Sequence, residues 1–172
     1  MIQKKICLLG ASSVGKTSLV KQFVEGIFNE KYLTTIGVKV DKKLVQVGEQ
    51  SIQLMLWDIE GNDRYNVFQE RYLRGAAGYI IVVDHTRSSS LLEGIDIHTL
   101  ARQVTSAPAI LAINKSDLPK EWHWHDQELE QYKDIFDHQF STSAKTGEQV
   151  EEIFHAIAKL ALEGNKNESI TE

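Results

Sequence analysis

An α/β domain on a mostly parallel sheet, with helices on both faces and one antiparallel edge strand, is what the sequence predicts. Short aliphatic runs at residues 6–9, 79–83 and 109–113 have the continuous apolar character of strands buried on both sides. Helical patterns fall between them, the order that gives right-handed βαβ units. Two early strands flanking Gly48-Glu49-Gln50 read as a hairpin, which supplies the antiparallel edge.

Residues 6–9 run as a strand into the glycine-bearing loop 10–15, and the helix Lys16–Glu25 carries Leu19, Val20, Phe23 and Val24 on one stripe. In the hairpin, Val38–Val47 precedes 52–57, where Ile52, Leu54 and Leu56 alternate with Gln53, Met55 and Trp57. A helix over 91–104 is weakened by Gly94. The last helix is the clearest: Val150, Ile153, Phe154, Ile157, Ala158 and Ala161 share one face. Beyond Leu162 the residues turn polar, so the domain is expected over 1–163, with a polar disordered tail over 164–172.

A chain of 172 residues suits one domain, and its 42% hydrophobic and 25% charged residues are ordinary for a protein with a core. The formal charge of −5 argues against a protein that grips nucleic-acid backbones. The single cysteine, Cys7, excludes an intramolecular disulfide and a multi-thiolate metal site, and its apolar setting suggests a buried, inert thiol. No apolar stretch approaches the ~20 residues of a membrane span. Residue 2 is isoleucine, not the glycine of myristoylation, and Ser169-Ile170-Thr171-Glu172 offers no cysteine to prenylate. A cytoplasmic protein without a direct lipid anchor is expected, reaching membranes only through a partner.

Gly10-Ala11-Ser12-Ser13-Val14-Gly15-Lys16-Thr17 fits G-x-x-x-x-G-K-[ST] at every fixed position, between a buried strand and a helix. Glycines let the backbone wrap so that successive N–H groups face one concavity, and the helix N-terminus adds its positive end. Lys16 can reach β- and γ-phosphates, and the Thr17 hydroxyl can ligate Mg²⁺. A glycine-rich turn with an incidental lysine is the bland alternative, and it does not account for the strand–loop–helix placement. The motif selects a nucleoside triphosphate without choosing its base.

Asn114-Lys115-Ser116-Asp117 follows the strand 109–113, at the sheet edge where ligands of such folds sit. A carboxylate there can accept from the N1–H and 2-amino groups of guanine, whereas adenine leaves it unpaired. An unpaired buried charge disfavours the wrong base strongly. Asn114 would brace the loop and the Lys115 stem would cover one face of the purine. Alone, the four residues are short enough to arise by chance in a polar turn; their conjunction with the phosphate loop is what gives them weight.

With these motifs in place, the chain resembles a Ras-superfamily small GTPase over roughly residues 4 to 163, its local wording closest to the Rab-like branch. Residues 32–38 resemble switch I, and the resemblance puts Thr35 on Mg²⁺ and the γ-phosphate. Residues 57–63 resemble switch II, which implies Asp58 in the Mg²⁺ shell through water and the Gly61 N–H on the γ-phosphate. Ser143-Ala144-Lys145 resembles the last guanine loop, with the Ala144 N–H aimed at the guanine oxygen. Phe28 stands where the family packs an aromatic edge on the base. The implied nucleotide set is Ser12, Ser13, Val14, Gly15, Lys16, Thr17, Ser18, Phe28, Thr35, Gly61, Asn114, Lys115, Asp117, Ser143, Ala144 and Lys145. Metal contacts fall to Thr17, Thr35 and Asp58, and hydrolysis to Asn62, Gly61, Lys16 and Thr35. The resemblance also implies a monomeric GTP/GDP switch whose effector, exchange factor and GTPase-activating protein engage residues 28–40 and 58–74.

The chain departs from the family at points that bear on catalysis. Asn62 stands where a glutamine orients the attacking water, one methylene or about 1.5 Å shorter. Misplacement of about 1 Å can lower a rate about a hundredfold, so slow intrinsic hydrolysis is expected. Glu60 replaces a small residue. It either faces solvent without a role, repels the γ-phosphate and destabilises the GTP-bound switch, or acts as a general base. Leu33 occupies the place of the switch I arginine of heterotrimeric G-protein alpha subunits. Full acceleration would then need an arginine in trans, worth about 10³–10⁵ in rate, with Arg64 only a weak internal candidate. The rival reading is a GTP/GDP-binding interaction module with little or no hydrolysis; a P-loop kinase or ATPase conflicts with Asp117.

Trp122-His123-Trp124-His125 lacks the further ligands a metal site needs and reads as a surface loop. Trp57 matches an effector-facing aromatic of Rab-like proteins, but Val40 and Leu73 stand at the other aromatic places, so effector identity does not carry over. Ser88-Ser89-Ser90 is expected to cap the following helix.

Overall fold

In the computed structural model the described residues are 1–28, 37–59, 61, 70–119 and 129–168, with side chains described only to 164. Among the described residues six strands form one sheet: β1 (Ile2–Leu9), β2 (Val38–Val47), β3 (Gln50–Ile59), β4 (Ala76–Asp84), β5 (Ala109–Asn114) and β6 (His138–Ser141). Their order is β2-β3-β1-β4-β5-β6. Every pairing is parallel except β2 with β3, so the antiparallel edge strand of the hairpin is present as expected. Val47 pairs with Gln50, and Gly48 takes the left-handed φ of 59° that this tight turn demands.

Alternation along the strands sends side chains to two cores. Ile6 and Leu8 of β1, Ile80 and Val82 of β4, and Ile110 and Ala112 of β5 face one layer. There they meet Leu19, Val20 and Phe23 of α1 (Lys16–Glu25) and the apolar stripe of α3 (Val150–Glu168). Phe23 stacks on Phe154 with ring centroids 4.2 Å apart, which ties the two helices together. The opposite side chains, including Cys7, Leu9, Tyr79, Ile81 and Leu111, pack beneath α2 (Ser89–Arg102) and Phe136. Helices thus cover both faces.

Gly94, which weakened the expectation of α2, has a packing reason. A Cβ there would come within 2.8 Å of Val83 Cγ1, so the glycine lets the helix lie close on β4. On the same helix His98 is buried, its Nδ1 2.9 Å from the Tyr79 hydroxyl and its ring 4.4 Å from Phe136. Burial depresses the His98 pKa to about 4, and the Arg102 charge acts in the same direction. Cys7 is the inert thiol expected: burial pushes it up to about 12.

Several elements differ from the sequence expectation. β1 begins at Ile2 because Gln3, Lys4 and Lys5 pair with β3 despite their polarity. The four residues of β6 carry too little apolar signal to be seen, and β5 recruits them by pairing. Residues 164–168, expected to be disordered, continue α3 to Glu168. Once a helix is nucleated, each further residue adds a backbone hydrogen bond, which sustains an extension through polar sequence. Ser88 sits at the N-cap of α2 but makes no side-chain capping bond. Ser90 does the tying instead: its hydroxyl accepts from the Asp84 N–H at 2.8 Å and donates to the Arg87 carbonyl at 2.7 Å.

Candidate functional site

The loop between β1 and α1 lies at the carboxyl edge of the parallel strands. Glycine is obligatory at both ends of its curve. A Cβ on Gly10 would run into the Val82 carbonyl, and one on Gly15 (φ 103°) into the Asn114 amide. Ser13 adopts a left-handed φ of 64°, a conformation that costs a non-glycine residue about 1–2 kcal/mol. Lys16 curls back into the loop and is only 5% exposed. Its Nζ donates to the Ala11 carbonyl at 2.8 Å and to the Gly10 carbonyl at 3.2 Å. Burial lowers its pKa to about 8, while the Asp58 charge pulls the other way. Among the described residues no carboxylate lies in ion-pair contact with it. A buried cation of this kind suits an anionic ligand.

Thr17, at the start of α1, donates its hydroxyl proton to Asp58 Oδ2 at 2.5 Å, which joins the phosphate loop to the end of β3. Two hard oxygen donors, one at the start of a helix and one near the end of a strand, suit a magnesium ion that keeps most of its waters. Gly61 lies flat on the loop, where a Cβ would approach the Ser12 Cα and N to 2.6 Å. Thr35 and Asn62 lie outside the described residues, as do Glu60, Leu33, Arg64 and the Trp122–His125 segment.

The base loop is braced as expected, through Asn114. Its Nδ2 donates to the Val14 carbonyl at 3.1 Å. Its Oδ1 accepts from Thr142 Oγ1 at 3.2 Å and from the Ala144 N–H at 3.3 Å. One buried amide therefore joins the phosphate loop, the strand β5 and the Ser143-Ala144-Lys145 loop. The Ala144 N–H, expected to face the guanine oxygen, is directed here at Asn114. Asp117 accepts from the Ser143 hydroxyl at 2.7 Å, and Ser143 Oγ in turn accepts from the Thr146 N–H at 3.1 Å. Lys115 stretches over the phosphate loop to the Ser13 carbonyl at 3.0 Å and to Asp84 Oδ2 at 2.8 Å. Ser18 lies in the first turn of α1, and Phe28, 37% exposed, follows its C-cap Gly26. Trp57 is half-buried with the Lys5 ammonium 3.7 Å above its ring, and Leu73 is buried in the core rather than displayed.

Sequence reasoning missed Asp84 and Arg87. Asp84 ends the apolar run of β4 and is 1% exposed, with Thr86 N–H and Oγ1 at 2.8 and 2.7 Å from its Oδ1. Burial pushes its carboxyl up, but hydrogen bonds from Lys115 and Thr86 outweigh that and hold it below the ordinary value. A carboxylate closing a buried strand at the ligand edge was the available signal.

A strand, a phosphate loop and a helix in this relation, on a sheet of this order, define a P-loop nucleotide-binding domain. The Ras family model matches residues 5–163, and the chain belongs to the Ras family. It is a small GTPase, a guanine-nucleotide-binding switch domain.

Proposed function

We propose that the protein cycles between GTP and GDP with Mg²⁺, hydrolysing GTP slowly to GDP and phosphate. The observation that carries this reading is the Asn114 amide, which joins the phosphate loop to both base-contacting loops. In this reading Thr17, Thr35 and Asp58 hold the metal, which would neutralise charge on the phosphates. Lys16 pairs with the phosphate oxygens, and the Asp117 carboxylate accepts from the guanine edge. Thr35 and the Gly61 N–H meet the γ-phosphate, so its loss releases both switches. Asn62 positions the water with a shorter reach than glutamine has. The affinities of local wording support the Rab-like branch, with partners reading residues 28–40 and 58–74. A cytoplasmic monomer, recruited to membranes through a partner, completes the proposal.

Single-turnover release of phosphate from GTP and Mg²⁺ tests it. Slow turnover is expected, accelerated by a cell extract that supplies an activator, and Asn62→Gln should raise the intrinsic rate. The residue types at 60 and 62 favour a second reading, a module that signals by occupancy with no turnover. No phosphate release with or without extract, alongside tight GTP binding, would establish that second reading.

A further inference from the structure

Three consecutive carbonyls of the phosphate loop are each taken by a side chain from another part of the fold. Arg87 Nη2 donates to Ser12 O at 2.7 Å, Lys115 Nζ to Ser13 O at 3.0 Å, and Asn114 Nδ2 to Val14 O at 3.1 Å. The preceding two carbonyls, Gly10 and Ala11, turn the other way and meet Lys16 Nζ. The loop therefore reverses its peptide planes between Ala11 and Ser12. In a planar trans peptide the N–H lies opposite the carbonyl, and no described peptide bond is cis. Anchoring the Ser12, Ser13 and Val14 carbonyls outward thus turns the Ser13, Val14 and Gly15 N–H groups toward the side where phosphate is held.

Asn114 and Lys115 belong to the base motif, whereas Arg87 belongs to no motif. Its placement is nevertheless fixed. Arg87 Nε lies 3.4 Å from Asp84 Oδ2, the same oxygen that holds Lys115 Nζ at 2.8 Å. One buried carboxylate therefore steadies two cations, and each cation grips a successive carbonyl of the loop. The Arg87 side chain is 42% exposed and adds little to the core, so its geometry is aimed at the loop rather than at packing.

We propose that Arg87, held by Asp84, is a positioning residue for the nucleotide's β-phosphate: it locks the Ser12–Ser13 peptide plane with the Ser13 N–H facing the phosphate and so slows nucleotide release. This rests on the guanine-nucleotide reading above. The guanidinium also adds to the positive potential of the cradle, where its charge is felt at Lys16.

The test compares wild type, Arg87→Met and Arg87→Lys by the dissociation rate of fluorescent GDP and by GDP and GMP affinities. Arg87→Met, which keeps the stem but removes every donor, should release GDP about tenfold faster, the loss expected of one charge-assisted hydrogen bond. GMP affinity should barely change, so the GDP-to-GMP affinity ratio falls by the same factor. Arg87→Lys should recover part of the loss, since an ammonium can reach one of the two partners but not both. Unchanged GDP release in Arg87→Met overturns the proposal, and so does an equal loss for GDP and GMP, which marks a general structural effect. Failure of the wild type to bind any guanine nucleotide overturns the functional reading and this inference together.

Discussion

Ser13 occupies a left-handed conformation that glycine adopts without penalty, and its carbonyl is nonetheless clamped by Lys115. Ser13→Gly is therefore expected to relieve about 1 kcal/mol of strain and raise the thermal midpoint by about 2–4 °C. A midpoint unchanged or lowered in calorimetry would show that the clamp, not the side chain, sets the backbone there. Gly15 offers the opposite case. Its φ of 103° and the Asn114 amide leave no space for a methyl group, so Gly15→Ala should abolish measurable nucleotide binding in a fluorescence titration. Retention of wild-type affinity would contradict the assignment of the loop. At this scale the strand–loop–helix setting of the phosphate loop and the bracing role of Asn114 were legible, because fixed spacing ties those residues to the turn they form. Asp84 and Arg87 were not, since their roles arise from contacts with Ser12 and Lys115 that only the folded sheet creates.

The helix α2 shows where element-level patterns mislead. Its exposed Leu92 and Leu100 and its buried Gly94, Ser90 and His98 break the apolar stripe that a packed helix ordinarily presents. Propensity alone favours Gly94→Ala by about 1 kcal/mol, yet the new methyl would crowd the branched Val83 side chain. Overpacking wins, and urea unfolding should show a net destabilisation of about 1–2 kcal/mol. A gain in stability would mean that the helix shifts outward freely. His98 supplies a pH dependence. Its folded pKa of about 4 lies below the ordinary histidine value of 6.5, so only the unfolded chain takes up a proton between those values. The contribution is fully present above about pH 6.5 and is lost as pH falls toward 4. Between pH 7 and 5 the loss should be about 2 kcal/mol. His98→Gln should flatten this segment of the stability–pH curve; an identical slope in the variant would place the titrating group elsewhere. The strands β1, β4 and β5 and the helices α1 and α3 were readable from period and composition. β6 was not, because four largely exposed residues become a strand only through the β5 edge they meet.

Across the whole molecule, the phosphate loop, Asp58 and the base loop come from distant parts of the chain and converge on one edge of the sheet. Sequence reasoning foresaw that convergence because parallel α/β sheets place their loops there. A ligand that bridges such separate loops stabilises the folded chain, by about 4 kcal/mol when present at a thousand times its dissociation constant. The most direct measurement is the relative affinity of the magnesium-bound protein for GDP and ADP, determined by competition against one fluorescent nucleotide. The Asp117 carboxylate, which accepts from the Ser143 hydroxyl, predicts that GDP displaces the probe at concentrations at least a hundredfold below those of ADP. Equal displacement, or preference for ADP, would contradict the account at its root.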